Sequence, residues 1–168
     1  IWIRLLEAHG VTSVLVNLHH FHERVREFLA TWPTTVRVEQ VYEPRLLGSA
    51  GTVLTNRHFV DGERRFLVVY ADVLSALDVS RMVRFHDSRP ELLTVGVAPT
   101  DRPREEGTVV VGAEGRVQAC GEQGENPRSN WDVELDIPFF RWRGKACESK
   151  ASTLPASCCR VVMPRPLP

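Results

Sequence analysis

The sequence predicts an α/β fold in which a doubly wound, mostly parallel sheet carries helices on both faces and a β-hairpin insertion. Short apolar runs of strand length alternate with amphipathic segments of helix length through residues 11–98, as is typical of parallel strands joined by right-handed helical crossovers. The runs 11–18 and 66–70 are almost continuously apolar, which is expected of strands buried on both faces. Two β-like segments, 107–112 and 116–122, flank a short turn, and this pattern predicts the hairpin.

The other elements follow from their hydrophobic period and their end signals. Residues 1–9 present apolar side chains on one helical face, and Gly10 ends that helix. A second amphipathic helix, 21–32, is ended by Pro33, and Asp78 is placed to cap a further helix. Strands are predicted at 11–18, 34–43, 66–70 and 91–98, with helices at 1–9, 21–32 and 78–88 and a glycine-bearing turn leading into a helix within 46–59.

Size and charge limit the classes of function. The 168 residues favour a single domain. Because 21 Lys and Arg balance 21 Asp and Glu, the sequence lacks the basic excess that neutralises a phosphate backbone, and we expect no nucleic-acid partner. No apolar run approaches the ~20 residues that span a bilayer, so we expect no membrane association and a cytoplasmic location. Homo-oligomerisation is left open.

The pattern changes near residue 141. Residues 1–140 carry the α/β alternation, whereas 141–168 hold three of the four cysteines and four of the eleven prolines without a sustained period. We therefore expect 141–168 to be an irregular, poorly ordered tail. The first helix begins without a capping residue, so we expect 1–140 to be part of a domain whose first elements precede Ile1.

Candidate site residues follow the strands, because ligands bind outside the carboxyl ends of parallel strands. Asp72 comes directly after the run 66–70, where a carboxylate is well placed to hold Mg²⁺ beside phosphates. The structural alternative is that Asp72 only caps a turn before Asp78. Gly48 and Gly51 enclose two small residues, so a flat ligand can approach the backbone closely. Tight helix–sheet packing is the alternative for these glycines.

The histidines are expected to be structural. His19, His20 and His22 lie at a strand-to-helix turn, and we expect an exposed polar turn there rather than a metal site. His58 and His86 fall on amphipathic helices, where we expect them to face water or to pack in part.

Four segments together resemble a known enzyme family. Residues 14–25, 42–53, 66–86 and 101–130 are similar, in this order and spacing, to the sugar-1-phosphate nucleotidylyltransferases that make nucleoside-diphosphate sugars, especially the mannose-1-phosphate guanylyltransferases. The family has a Rossmann-like α/β fold. The resemblance implies transfer of a nucleotidyl group from a nucleoside triphosphate to a sugar 1-phosphate, with pyrophosphate released. These two substrates are the expected partners.

The resemblance also implies roles for individual residues. Glu43, Gly48 and Gly51 would border the nucleotide base, and Asp72 would be the catalytic carboxylate that holds Mg²⁺. Gly107 and Glu122 would contact the sugar phosphate. The departures are that the family's first strand and glycine-rich loop would precede Ile1, and that Gln123-Gly124 replace the family's Lys-Pro.

Two other functions are compatible with parts of this pattern. Because the elements that hold the triphosphate are not in the sequence, we expect this chain alone to turn over slowly or not at all. The alternative function is a non-catalytic module that binds a sugar nucleotide or regulates an enzyme. A dinucleotide-dependent oxidoreductase shares the architecture, but no GxGxxG follows any strand.

Overall fold

The computed structural model describes two compact units of this chain. The described residues are 1–73, 75–99, 108–112, 115–121, 133–140 and 159–162. The units are Ile1–Gly62 and Glu63–Pro168, a finer division than the single domain expected from the length.

The first unit alternates helices and strands in the predicted order. Its elements are α1 (Trp2–Ala8), β1 (Ser13–Leu18), α2 (His22–Thr31), β2 (Arg37–Tyr42), α3 (Gly48–Thr55) and a 3₁₀ turn, Arg57–Val60. β1 and β2 pair in parallel, with Ser13 opposite Arg37 and Leu18 opposite Tyr42. Because α2 connects these two parallel strands, the predicted strand–helix–strand crossover is confirmed.

The ends of these helices follow the local sequence. Gly10 adopts a φ of 80° after α1, a conformation that glycine enters without steric cost. Phe21, directly before α2, has a φ of 51°, which is unusual for a residue with a large side chain. α2 ends at Thr31, two residues before Pro33, as the proline predicted.

Burial in the first unit is lower than the sequence predicted. Leu6, Leu18 and Val36 are buried, but β1 is mostly half-buried rather than buried on both faces. Among the described residues β2 is the only strand that pairs with β1. Phe28 of α2 is also exposed.

The second unit is built on a mixed sheet. Its elements are β3 (Phe66–Leu67), α4 (Val79–Asp87), β4 (Leu93–Pro99), β5 (Thr108–Val111), β6 (Val117–Gly121), β7 (Val133–Phe140) and β8 (Cys159–Val162). The described strands lie in the order β6-β5-β7-β4-β8, with β3 also on β7. The β5–β6 hairpin is antiparallel as predicted.

Strand β7 gives this sheet its mixed character. It runs antiparallel to β3, β4 and β5, whereas β8 runs parallel to β4. Among the described strands, the parallel pairs are β1–β2, which was predicted, and β4–β8, which was not. β8 lies inside the segment 141–168, so that segment is not wholly irregular.

β3 is shorter than the predicted strand 66–70. Phe66 and Leu67 pair with Phe140 and Phe139, and the next residue of β7 in this register is Pro138. The β3–β7 ladder ends there, whereas the β4–β7 ladder continues through Pro138, which lies opposite Val95.

The buried apolar residues of the second unit belong mainly to α4 and to the strands β4, β5 and β6. Val95, Val97, Val109 and Val117 form one buried cluster, and Val79 and Met82 of α4 are buried as well. Asp78 caps α4 by accepting a hydrogen bond from the Arg81 amide at 2.8 Å, which confirms its predicted role. None of the described helices has the length and apolarity needed to cross a bilayer.

Candidate functional site

The structure brings three of the predicted site residues close together in the chain segment after β2. Glu43 is the first residue beyond β2, Gly48 is the first residue of α3, and Gly51 lies in the first turn of that helix. All three belong to the first unit. Asp72 belongs to the second unit and is described separately, while Gly107 and Glu122 lie outside the described residues.

Glu43 is a buried carboxylate with spare acceptor capacity. Its exposed fraction is only 4%. Oε2 accepts a hydrogen bond from the Leu47 amide at 3.5 Å, which is long for an N–H···O bond. Oε1 is buried and has no hydrogen-bond partner among the described residues. A buried polar atom without a partner costs about 1–3 kcal/mol of stability. A hydrogen-bond donor that reached this oxygen would therefore be bound favourably.

The carboxylate lies at the beginning of α3. Leu47, whose amide it approaches, is the residue that precedes the helix. A helix N-terminus carries unsatisfied amides and a partial positive charge, which favour a negative group there. The position of Glu43 is therefore electrostatically reasonable even though its second oxygen is unsatisfied.

Gly48 and Gly51 are each required by the structure, but for different reasons. Gly48 has a φ of 70°, a left-handed conformation that suits glycine, and a Cβ at this position would meet no atom within 4 Å. At Gly51, a Cβ would lie 2.8 Å from the Leu47 Cβ. Gly48 is thus required by its backbone conformation and leaves open space at the helix start, whereas Gly51 is required by the close approach of Leu47.

β1 is tied to this segment by two side chains. The Asn17 amide Nδ2 donates to the Thr52 hydroxyl at 3.4 Å, which connects the end of β1 to α3. The His19 ring makes a hydrogen bond of 2.6 Å through Nδ1 with the backbone carbonyl of Glu43. His19 is half-buried, so the expectation of an exposed polar turn is wrong for this residue. Its position directly after β1, beside the end of β2, was the signal that could have indicated this contact.

The neighbouring histidines make aromatic contacts instead. The His20 ring lies 4.0 Å from the Phe21 ring, and the His22 ring lies 4.3 Å from the Tyr42 ring. In the part of the chain that the structure describes, no cluster of three or more His, Cys, Asp or Glu side chains could hold a metal ion.

Asp72 is an exposed carboxylate on a turn after β3. The Val73 amide donates to the Tyr70 carbonyl at 3.2 Å, and this hydrogen bond closes the turn around Asp72. Within the described residues, no hydrogen bond or ion pair engages the Asp72 side chain. A single free carboxylate has the oxygen chemistry that Mg²⁺ prefers, since this ion is commonly held by one or two carboxylates together with substrate phosphates. The residue therefore fits the ion in donor type.

A buried polar pair in the second unit was missed by the sequence reasoning. His86 is only 1% exposed, and its Nδ1 lies 2.8 Å from the Thr94 hydroxyl. The expectation that His86 faces water or packs only in part is wrong. His86 follows Met82 by one helical turn on the packed face of α4, and this spacing was the available signal.

The comparison with protein families decides where this chain belongs. A model of the family described as nucleotidyl transferase matches residues 1–137. The chain belongs to the nucleotidyl transferase family. Its resemblance to sugar-1-phosphate nucleotidylyltransferases is thereby confirmed.

Two plant relatives and one solved structure are similar to this chain. It is 31% identical over 115 residues to "Probable mannose-1-phosphate guanylyltransferase 2" of Oryza sativa subsp. japonica, covering 65% of this chain and 31% of the relative. It is 31% identical over 128 residues to "Mannose-1-phosphate guanylyltransferase 1" of Arabidopsis thaliana, covering 72% of this chain and 35% of the relative. The chain thus spans about a third of the length of these relatives.

The solved structure is that of HddC from Yersinia pseudotuberculosis complexed with GMP-PN. It matches 96% of this chain and 73% of its own length with a TM-score of 0.74 and 14% sequence identity. At this identity the similarity shows the fold. The predicted Rossmann-like α/β class is confirmed.

Proposed function

We propose that this chain belongs to an enzyme that transfers a nucleotidyl group from a nucleoside triphosphate to a sugar 1-phosphate and releases pyrophosphate. Membership of the nucleotidyl transferase family supports this reaction, and two relatives are named as mannose-1-phosphate guanylyltransferases. The observation that carries the proposal is the buried Glu43 carboxylate with a free Oε1 at the start of α3. Such an acceptor is suited to an N–H donor on a nucleobase edge.

In this proposal the base lies against the segment from Glu43 to Gly51. Glu43 accepts a hydrogen bond from the base through Oε1. The open space at Gly48 lets a flat ring approach the backbone at the helix start. Guanine presents an N1–H and an exocyclic N2 amine on one edge, so a carboxylate, which only accepts hydrogen bonds, suits this base. The names of the plant relatives favour guanine as well.

Asp72 is the proposed metal-holding carboxylate. It would hold Mg²⁺ through its free oxygens, and the ion, when bound, supplies positive charge that stabilises the phosphate oxygens in the transition state. The chemistry is attack by a sugar-phosphate oxygen on the α-phosphorus, with pyrophosphate leaving in line. It depends on alignment and charge more than on a protein nucleophile.

Gly107 and Glu122 are proposed to contact the sugar phosphate. This role rests on the family resemblance, because both residues lie outside the described part of the chain. We also propose that the protein acts in the cytoplasm. Analytical sedimentation of the chain would determine whether it forms a homo-oligomer.

Calorimetry and isotope exchange test the proposed function. We expect the chain to bind GTP, and we expect Mg²⁺-dependent exchange of labelled pyrophosphate into GTP to be slow and to be lost in Asp72→Asn. Asp61→Asn is the matched control, since Asp61 is an exposed aspartate with no described partner. Exchange that survives Asp72→Asn would contradict the metal-holding role, and absence of GTP binding would contradict the proposed function.

Binding without exchange would instead favour the alternative function, a module that binds a sugar nucleotide without catalysis. The observation on its side is Gln123-Gly124, where the resemblance leads one to expect Lys-Pro. A neutral amide there cannot supply the positive charge of lysine to a sugar phosphate.

A further inference from the structure

The backbone of Glu43 is held by two consecutive residues at the end of β1. The Glu43 amide donates to the Leu18 carbonyl at 2.8 Å. The Glu43 carbonyl is 2.6 Å from Nδ1 of the His19 ring. The backbone amide and the backbone carbonyl of Glu43 are therefore both held by β1 and the residue after it. The Glu43 side chain, in contrast, has one oxygen, Oε1, without a hydrogen-bond partner among the described residues.

The chemistry of the second contact defines the state of the His19 ring. A backbone carbonyl can only accept a hydrogen bond, so Nδ1 of His19 must carry the proton and donate it. In the neutral ring this leaves Nε2 as the unprotonated nitrogen. His19 therefore acts as an Nδ1–H donor toward Glu43.

The side chain of His19 replaces a missing backbone interaction. In the parallel register of β1 and β2, the carbonyl of Glu43 would next face the amide of His20. The chain turns away at this point, because Phe21 adopts its left-handed φ of 51° before α2 begins. The His19 ring thus supplies the donor that the strand no longer provides. A φ of this kind at a large residue is costly and is found preferentially at functional sites.

We infer that His19 is a positioning residue for nucleotide binding: its Nδ1–H fixes the Glu43 backbone so that Oε1 is held toward the base. This inference rests on the proposed function, since it assigns His19 to the same site. The ring does not touch the ligand in this account, and its effect on affinity passes through Glu43.

Asparagine places its side-chain N–H donor at nearly the same distance from the backbone as Nδ1 of histidine. His19→Asn is therefore the conservative variant. His19→Asn keeps an N–H near the Nδ1 position, and His19→Ala removes it. His20→Ala is the matched control, because His20 is the exposed neighbour whose described contact is with the Phe21 ring. GTP affinity is measured by calorimetry for all three variants, and thermal unfolding confirms that each one is folded.

We expect His19→Ala to weaken GTP binding about three- to tenfold, the loss typical of one hydrogen bond. His19→Asn and His20→Ala should stay within about twofold of the parent chain. If His19 acts through Glu43, His19→Ala should change the affinity of a Glu43→Gln chain by less than about twofold, because coupled residues are not additive.

The outcomes separate the inference from the proposed function. A parent chain that binds no GTP overturns the proposed function and with it the nucleotide role of His19. GTP binding that is unchanged in His19→Ala, or equally weakened in folded His19→Asn and His19→Ala, overturns the inference alone. Should His19→Ala not fold, ¹⁵N NMR of the parent chain decides the geometry: the inference requires a protonated Nδ1 on His19, and a protonated Nε2 with a bare Nδ1 overturns it.

Discussion

Replacing Glu43 by Gln should make the free protein more stable and the nucleotide complex weaker. Glutamine keeps the shape of the side chain and can still accept from the Leu47 amide, which approaches the carboxylate at 3.5 Å. It removes the negative charge, which in the parent chain is 4% exposed and has one oxygen without a described partner. Burial of a charge costs more than burial of a neutral amide.

The magnitudes follow from these contacts. Unsatisfied buried polar groups cost about 1–3 kcal/mol, and charged ones more, so we expect Glu43→Gln to raise the free energy of unfolding by about 1 kcal/mol. For a chain of this size that corresponds to about 2–4 °C in the melting temperature. Because the glutamine carbonyl oxygen accepts from the Leu47 amide, its Nε2 amine takes the place of Oε1 and cannot accept a hydrogen bond from the base. Losing that hydrogen bond should cost about 1–3 kcal/mol of binding, or about five- to 150-fold in Kd.

Thermal unfolding and GTP calorimetry on the same two preparations measure both effects. Their opposite signs are the informative result, since a residue that only supports the fold would lose stability and affinity together. A Glu43→Gln chain that melts at a lower temperature than the parent, or binds GTP with an unchanged Kd, would refute the role assigned to this carboxylate.

Two further predictions concern stability. Hydrogen bonds from the Thr35 side chain and amide, the latter at 2.7 Å, lower the pKa of Glu7 below its ordinary value of 4.5. Since the pKa of Glu7 is lower in the folded chain, its contribution to the free energy of unfolding is present above pH 4.5 and is lost as the pH falls through the folded pKa. Urea unfolding across that pH range should show a smaller pH dependence of stability in Thr35→Val than in the parent chain. Identical pH profiles for the two chains would contradict this role of Thr35. Thr94→Val should lower the free energy of unfolding by about 1–3 kcal/mol, because it removes the hydroxyl that partners His86 Nδ1, whereas Thr94→Ser keeps that hydroxyl and should cost less in the same urea titration; equal losses would count against the hydrogen bond.

The local elements of the first unit could be predicted because each has its own signal. The apolar run before Leu18 and the alternation after Val36 gave β1 and β2, and Gly10 and Pro33 marked the helix ends. Gly48 and Gly51 marked the turn into α3 as a place where the backbone is closely approached, but the left-handed φ of Gly48 was not predicted.

The pairing of the second sheet could not be predicted in the same way. β7 and β8 pair with β4 across long sequence separations, and nothing in a local period specifies such a partner. The strand after residue 65 was expected to continue to Tyr70, but only Phe66 and Leu67 pair with β7, a partner that is far away in the sequence.

The sequence indicated where the candidate residues lie along the chain and not what they contact. Glu43 follows β2 directly, whereas β3 ends at Leu67 and Asp72 lies on a turn beyond it. The hydrogen bond between His19 and the Glu43 carbonyl depends on where the chain leaves β1 and on the backbone of Phe21. These are properties of the folded backbone that residue identity alone does not specify.

A crystal structure of the chain with GTP would test the central claim most directly. The account predicts that an N–H group of the base lies about 2.7–3.2 Å from Oε1 of Glu43, the ordinary hydrogen-bond distance, with the ring against the start of α3. A bound base located elsewhere, or Oε1 satisfied by another group of the protein, would contradict it.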